Sequence, residues 1–462
     1  MATYDAILIG TGQAAPSLAA TLAGMGTRVA LIEGATLGGS CVNHGCTPTK
    51  TLRKSARVAH LVRQASAFGV EVGAVQVDFA AVMRRKDAVV NASRDGLTRW
   101  LENTPNLTLY RAWAHFVGKE GDTFLVQAGD EVLRAPRVYL NVGTRAFIPP
   151  IAGVESVAYL DNVSLLRLDT LPEHLLILGG GYIGIEMAQI FARLGSKVSL
   201  VEAAPRLAVR EDDDVCQAIE ALLTGEGVDV YTAHKATHAN QDAHGNITLT
   251  LSAPDGSEKQ LMGSALLVAV GRTPNTDTLN LESIGLATER GYLSTDAHLQ
   301  TAVAGVWALG DINRRGAFTH TSYHDHEIVV DNLQGGTRNA DDRTMAYAMF
   351  TDPPLGRVGM SENEARQSGK RVLMAVHQMA NVSRAKEEGE THELIKLLVD
   401  ADTEQFLGAT IFGIGGDEIV QVISNYMATG ASYRLLKEAL PIHPTVTEFF
   451  PTILGKLAPL GE

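Results

Sequence analysis

Two of the chain's three cysteines stand in one short stretch, Gly38-Gly39-Ser40-Cys41-Val42-Asn43-His44-Gly45-Cys46-Thr47-Pro48-Thr49-Lys50. Such a pair can cycle between dithiol and disulfide, with one sulfur acting as a thiolate nucleophile. The glycines let the backbone turn tightly. Thr47-Pro48 reads as a helix start, because the first turn does not use the N–H that proline lacks. A thiol at a helix N-terminus sits at the positive end of the macrodipole, which favours thiolate. Two buried structural cysteines, or half of a zinc site, are the competing readings, but no second Cys/His pair at zinc spacing follows.

A redox pair needs an electron source, and the surrounding pattern offers two nucleotide sites. Residues 4–10 read as a buried strand, followed by Gly10-Thr11-Gly12-Gln13-Ala14-Ala15, a small-residue helix over 16–25, and a second strand ending in Glu33. In this GxGxxA pattern the glycines admit a pyrophosphate, the helix N-terminus faces it, and the terminal acid accepts from a ribose diol. The arrangement recurs in strand 174–178, Gly179-Gly180-Gly181-Tyr182-Ile183-Gly184, helix 185–194 and strand 197–201 ending in Glu202. Two dinucleotides are therefore expected. Glu202 is followed by Ala203 and Ala204 rather than by arginine. An acid there repels a 2′-phosphate, which points to NAD(H) and makes NADP(H) the less favoured partner. Arg206 and Arg210 follow a few residues later.

At 462 residues the chain is too long for one core, and several domains are expected. The net charge of −13 argues against nucleic acid and against an anionic membrane surface as partners. No uninterrupted apolar run reaches a membrane span; the best candidate, 175–188, is broken by glycines and Glu186. The start lacks a basic n-region, and three cysteines are no disulfide scaffold, so a cytoplasmic enzyme is expected. Helices are predicted from the cysteines to about residue 67, over 80–103, 213–226 and 319–333. Strands are predicted at 107–110, 123–127, 132–134, 138–145, 228–231, 247–251, 265–270 and 306–311. Pro149-Pro150 reads as a linker, and from about Phe350 the nucleotide patterns cease. Cys216, in a predicted helix, reads as a small apolar side chain.

The ordered set GTGQAA, GGSCVNHGCTPTK, GGGYIGIE, VGRTPN, ALGDI, FTDPPLGRVG and HPTVTE resembles the flavoprotein pyridine nucleotide–disulfide oxidoreductases. This is the family of dihydrolipoamide dehydrogenase, glutathione reductase and mercuric reductase, and the resemblance covers essentially the whole chain. It implies an α/β fold with two Rossmann-like domains, one for FAD and one for NAD, plus a C-terminal α+β dimerisation domain. The implied boundaries are 1–150 with 276–345 for FAD, 151–275 for NAD(P), and 346–462 for the dimer interface. Gly10, Gly12, Ala15 and Glu33 would hold the AMP half of FAD, with Ala114 at the adenine. Gly143, Asp311 and Thr319 would face the flavin side, and Lys50 would lie beside the flavin, paired with Glu186. Gly179, Gly181, Gly184, Glu202 and Gly271 would hold the nicotinamide dinucleotide, with Tyr182 covering its pocket. Cys46 would touch the flavin and Cys41 would exchange with substrate. His443, oriented by Glu448, would act as acid/base across the interface of a homodimer. The implied activity is electron transfer between NAD(H), flavin and a small or protein-bound disulfide, nearest to dihydrolipoamide dehydrogenase.

Departures from the relatives bear on the substrate. Mercuric reductases carry a C-terminal Cys-Cys pair and an N-terminal metal-capture domain, and usually a tyrosine where His443 stands; this chain shows none of these. Pro441 stands where dihydrolipoamide dehydrogenases usually have histidine, and His44 between the cysteines is unusual. A metal-ion reductase using only Cys41 and Cys46 is the rival of the same class. A non-catalytic redox sensor or binding subunit is the rival of another class. His320, His324 and His326 could suggest a metal, but the segment lacks a carboxylate or thiolate shell, and no metal site is expected.

Overall fold

A computed structural model describes residues 1–461. Five parallel strands form the first sheet, in the order Val306–Ala308, Val138–Leu140, Ala6–Ile9, Val29–Ile32 and Leu107–Tyr110. The central strands are buried along their whole length, as the apolar runs require when both faces are covered. Apolar clusters pack on both faces, one of them built around the fingerprint helix Ala15–Gly24. The strand at 306–308 returns to this sheet from far along the chain. Four short strands, Ala2–Thr3, Glu131–Ala135, Thr123–Ala128 and Ala114–Glu120, form a second layer beside it.

The second parallel sheet runs Asp229–Tyr231, Lys197–Val201, His174–Leu178, Ala265–Val268. A three-stranded antiparallel sheet, Lys235–Gln241, Ile247–Ser252 and Glu258–Gly263, accompanies it. Only its middle strand is apolar enough to read from sequence. The outer two are largely exposed and carry Lys, His, Asn, Gln and Glu, so their alternation is masked. The C-terminal region is a six-stranded sheet in the order 346–349, 355–359, 406–412, 394–400, 372–378, 458–459, with antiparallel neighbours. Its two central strands are buried at every position.

Around the cysteines the chain departs from a single long helix. A six-residue helix, Gly39–His44, carries Cys41; Gly45 breaks it, and a second helix runs Cys46–Arg63. The break falls at Gly45, where an added Cβ would sit 3.0 Å from the Ser40 carbonyl oxygen. Cys46 is thus the first residue of the long helix, one position earlier than Thr47-Pro48 suggests.

Candidate redox and dinucleotide sites

Both nucleotide loops lie at the carboxyl ends of strands, where the next strand lies on one side and a strand from much later in the chain on the other. Open parallel sheets bind ligands at this switch point. Gly10 and Gly179 have φ of +88° and +109°. A Cβ on Gly10 would stand 2.6 Å from the Asn141 carbonyl oxygen, and one on Gly179 would stand 2.4 Å from that of Ala269. Only glycine meets both demands.

The strand-end acids are braced in the same way. Glu33 accepts from the Thr11 N–H (3.0 Å), the Thr11 hydroxyl (2.6 Å) and the Ala35 N–H (2.8 Å). Glu202 accepts from the N–H of Gly180 (2.6 Å) and of Ala204 (2.7 Å). A carboxylate offers about four acceptor positions, so each keeps capacity for a ribose diol. No side chain caps the helix at Tyr182–Leu194, and among the described residues the N–H groups of Gly181, Tyr182 and Ile183 have no partner. Those of Gly12 and Gln13 are free in the same sense. Unpaired N–H groups at a helix N-terminus suit a pyrophosphate, so both loops fit a dinucleotide. Arg206 ion-pairs with Asp213, while Arg210 is exposed.

Beside the first loop, Asp311 accepts from the Thr144 hydroxyl at 3.0 Å and lies 4.0 Å from the Arg272 guanidinium. Gly143 and Gly271 take φ of +64° and +147° on either side of a two-stranded ladder, Thr144–Ala146 with Arg272–Pro274, that links the two nucleotide regions. Ala114 opens its strand, next to Trp113, whose indole lies over Gly34. Asn141 was missed in the sequence. Buried at a strand end, its side-chain oxygen accepts from the N–H of Ala14 and Ala15, and its amide donates to the Leu309 carbonyl at 2.9 Å. Its signal was a lone amide at the end of an apolar strand.

The sulfur centre lies where the parts meet. Both sulfurs are thiols, Cys46 exposed and Cys41 half-buried. The Thr319 hydroxyl is 3.2 Å from the Cys46 sulfur. A hydrogen bond from Cys41 does most to bring the Cys46 thiol down to about 6; Thr319 and the Lys50 ammonium act the same way, against burial and Glu186. The same Cys41–Cys46 bond, with burial, pushes Cys41 well above the usual thiol range. Lys50 pairs with Glu186 at 2.8 Å and lies 4.3 Å over the Phe350 ring, while Glu186 also accepts from the Phe350 N–H at 2.9 Å. One carboxylate therefore joins the cysteine helix, the second nucleotide region and the C-terminal region.

His443 stands in the C-terminal region, 76% exposed, with Nδ1 2.7 Å from Glu448. Leu440 and Ile442 beside it are also exposed. Among the described residues no hydrogen bond joins His443 to either cysteine. The three histidines of the 319–333 helix do not converge. His320 meets the Ala346 carbonyl, His326 that of Tyr323, and His324 accepts from Arg343. Cys216 is buried, and desolvation pushes its thiol up to about 11. Asp212, Asp214 and Glu362 cluster, but the Lys396 ammonium already stands among them, 2.7 to 3.3 Å away.

Comparison with known proteins agrees with this geometry. Residues 4–325 match the pyridine nucleotide-disulphide oxidoreductase family and residues 345–453 match its dimerisation domain. The chain is 36% identical over 454 residues to a probable pyridine nucleotide-disulfide oxidoreductase, RclA, of Escherichia coli, covering 97% of this chain and 98% of that protein. A mercuric reductase of Lysinibacillus sphaericus is 32% identical, over 96% of this chain and 81% of its own length. The solved structure of the HOCl-induced flavoprotein disulfide reductase RclA from E. coli superposes with a TM-score of 0.88 at 34% identity, covering 98% of this chain and all of that one. The chain belongs to the pyridine nucleotide-disulphide oxidoreductase family and is an enzyme of that class, with the α/β fold that the resemblance implied. The family implies a flavin and a pyridine nucleotide, and the dimerisation domain implies a homodimer. No helix among the described residues is long and apolar enough to cross a membrane.

Proposed function

We propose that this member of the family is an FAD enzyme that takes electrons from NADH and delivers them through Cys41 and Cys46 to a small or protein-bound disulfide. The observation that carries the reading is the placement of the sulfur pair: Cys46 opens a helix, meets the Thr319 hydroxyl at 3.2 Å, and lies one turn before Lys50, whose partner Glu186 comes from the second nucleotide helix. Bound FAD and nicotinamide would supply the two-electron transfer that reduces the sulfur pair. Gly10, Gly12, Ala15, Glu33, Ala114, Gly143 and Asp311 would hold the flavin nucleotide. Gly179, Gly181, Gly184, Glu202 and Gly271 would hold NAD(H). The division that goes with this reading is 1–150 with 276–345, then 151–275, then 346–462, with the Thr144–Ala146 and Arg272–Pro274 ladder crossing the first boundary.

The chain's own residues account for the thiol chemistry. Cys46 keeps its charge beside Thr319 and Lys50. Cys41 must lose its proton before it attacks, and the partner subunit's His443 would take it. Glu448 on Nδ1 fixes the tautomer and leaves Nε2 as base. The Cys41 thiolate attacks the substrate S–S bond, forming a mixed disulfide, and the first substrate thiol leaves with the proton returned by His443. The Cys46 thiolate then attacks the Cys41 sulfur, releasing the second substrate sulfur as a thiolate that takes its proton from solvent, and closing the Cys41–Cys46 disulfide. A cytosolic compartment suits such a dithiol.

A second reading, reduction of a metal ion held between the sulfurs, draws on the mercuric reductase relative and on Cu(II) complexes solved for RclA of E. coli. The two readings separate in one assay. Flavin-loaded protein is given NADH with lipoamide, glutathione disulfide, coenzyme A disulfide, Hg(II) or Cu(II). Turnover on a disulfide that is lost in Cys41→Ala and in His443→Ala, and partly regained when those two chains are mixed, is the expected result. Turnover on metal ions alone, or no recovery in mixtures, would refute the shared disulfide site.

A further inference from the structure

Tyr182 opens the second fingerprint helix, one turn before Glu186. Its hydroxyl donates to Oε1 of Glu211, a carboxylate that the sequence did not single out. Glu211 is buried at the junction with the C-terminal region. Arg357 holds its other oxygen at 2.7 Å, and the two side chains are 0% and 2% exposed. A second hydroxyl, that of Tyr347, donates to the same Oε1 at 2.9 Å. Arg357 and Tyr347 both come from the C-terminal sheet, so the carboxylate cannot follow Tyr182 if that ring moves. Tyr182 and Tyr347 themselves remain half-exposed.

The rings continue toward the sulfurs. Tyr182 tilts against Tyr347 at 5.7 Å, and Tyr347 stacks on Phe318 at 5.2 Å with ring planes 6° apart. Phe318 immediately precedes Thr319, whose hydroxyl meets Cys46. These rings thus connect the start of the second fingerprint helix with the redox centre, where a nicotinamide reaching the flavin would pass. We propose that Glu211 is a positioning residue that latches the Tyr182 ring across the nicotinamide end of the second dinucleotide site, so that the C-terminal region sets part of the cost of admitting the nucleotide. The inference rests on reading that site as the nicotinamide one.

Binding then requires breaking a hydrogen bond to a fixed, buried carboxylate, which opposes affinity about five- to tenfold. The test is calorimetric titration of the flavin-loaded, full-length protein with NAD⁺ and, separately, with ADP-ribose, which lacks the nicotinamide. Tyr182→Phe keeps the ring and removes only the latch; it is expected to tighten NAD⁺ about fivefold or more and to leave ADP-ribose unchanged. Tyr347→Phe leaves Tyr182 as the only hydroxyl donor to Oε1, strengthening the latch, and weakens NAD⁺ about twofold. In the Tyr182→Phe background the same change has no effect, because the coupling runs through Glu211. Equal NAD⁺ affinity in wild type and Tyr182→Phe, equal shifts for both ligands, or a Tyr347→Phe effect that persists in the double variant would each overturn the latch. Binding shifts as expected without reduction of any disulfide would leave the latch standing and sink the proposed reaction. Absence of binding by either nucleotide would overturn both.

Discussion

The two βαβ units solve one problem with different means. Each uses a positive-φ glycine at a switch point and a strand-end acid braced by backbone N–H groups. They differ in how the helix is anchored. In the first, the Asn141 side chain, reaching from a neighbouring strand, occupies the helix N-terminus. In the second, no side chain does, and the tie to the rest of the molecule lies further along the helix, at Glu186 and at Arg193, which pairs with Asp352 and Glu226. They also differ in the third fingerprint residue. Ala15 is tolerated in the first, whereas a Cβ on Gly184 would stand 1.9 Å from the Gly179 carbonyl oxygen. On the proposed reading, the braced first unit suits a resident flavin nucleotide, and the second, with unpaired N–H groups at its helix start, suits a nicotinamide nucleotide that exchanges.

The sharpest break of this comparison copies one unit into the other. Gly184→Ala is expected to cost about 3 kcal/mol or more and to abolish nicotinamide nucleotide binding, since backbone cannot yield to the methyl group. The reciprocal Ala15→Gly should cost only about 1 kcal/mol, a helix-propensity loss. Thermal unfolding and nucleotide titration of the two variants check the asymmetry, and equal losses would dissolve it.

Asn141→Ala attacks the device unique to the first unit. It leaves the Ala14 and Ala15 N–H groups and the Leu309 carbonyl unpaired in a buried place, at about 2–3 kcal/mol. Flavin retention should fall, while the second unit's nucleotide affinity holds. Purified Asn141→Ala that remains as yellow as the wild type would show that the cap is dispensable.

Glu202 tests the second unit alone. Like-charge repulsion of a 2′-phosphate corresponds to roughly a hundredfold preference for NADH in kcat/KM. Glu202→Ala should narrow that gap, and a tenfold wild-type preference for NADPH would shift attention to Arg210, since Arg206 is tied to Asp213.

The smallest expected effect concerns the sulfurs between the units. With Cys46 held near 6, its thiolate is present above that pH and is lost as pH falls through it. Iodoacetamide alkylation of the reduced protein should therefore rise through about pH 6. Lys50→Met should move that midpoint upward by less than the loss of Thr319's hydroxyl does, because Thr319 is the stronger of the two influences. A midpoint near that of a free thiol in the wild type would remove the inequality of the two cysteines.

The sequence was most legible where function needs special backbone. Positive-φ glycines, strand-end acids and the cysteine spacing all leave residue types that few other roles require. It was less legible where position depends on distant strands. Glu211 and Arg357 are ordinary charged residues until the C-terminal sheet docks and buries them against each other. The polar outer strands at 235–241 and 258–263 are held by pairing with an apolar middle strand rather than by their own pattern. The Gly45 break depends on a close backbone approach that residue type alone does not reveal.

Lys396 has a consequence of a different kind. Its side chain is 1% exposed and its ammonium sits among Asp212, Asp214 and Glu362, joining the C-terminal sheet to the start of the helix at 213–225. Mobile ions weaken attractions across water, with a screening length of about 8 Å at physiological ionic strength, but they screen the buried Lys396–Asp212 contact far less, even though Asp214 and Glu362 stay 40% and 21% exposed. High salt should thus loosen exposed pairs such as Arg371–Asp402 more than it loosens this clasp. The desolvation that such a cluster incurs also falls on heating. The joint between the second nucleotide region and the C-terminal region is accordingly expected to weaken less with added salt and with warming than the exposed pairs do.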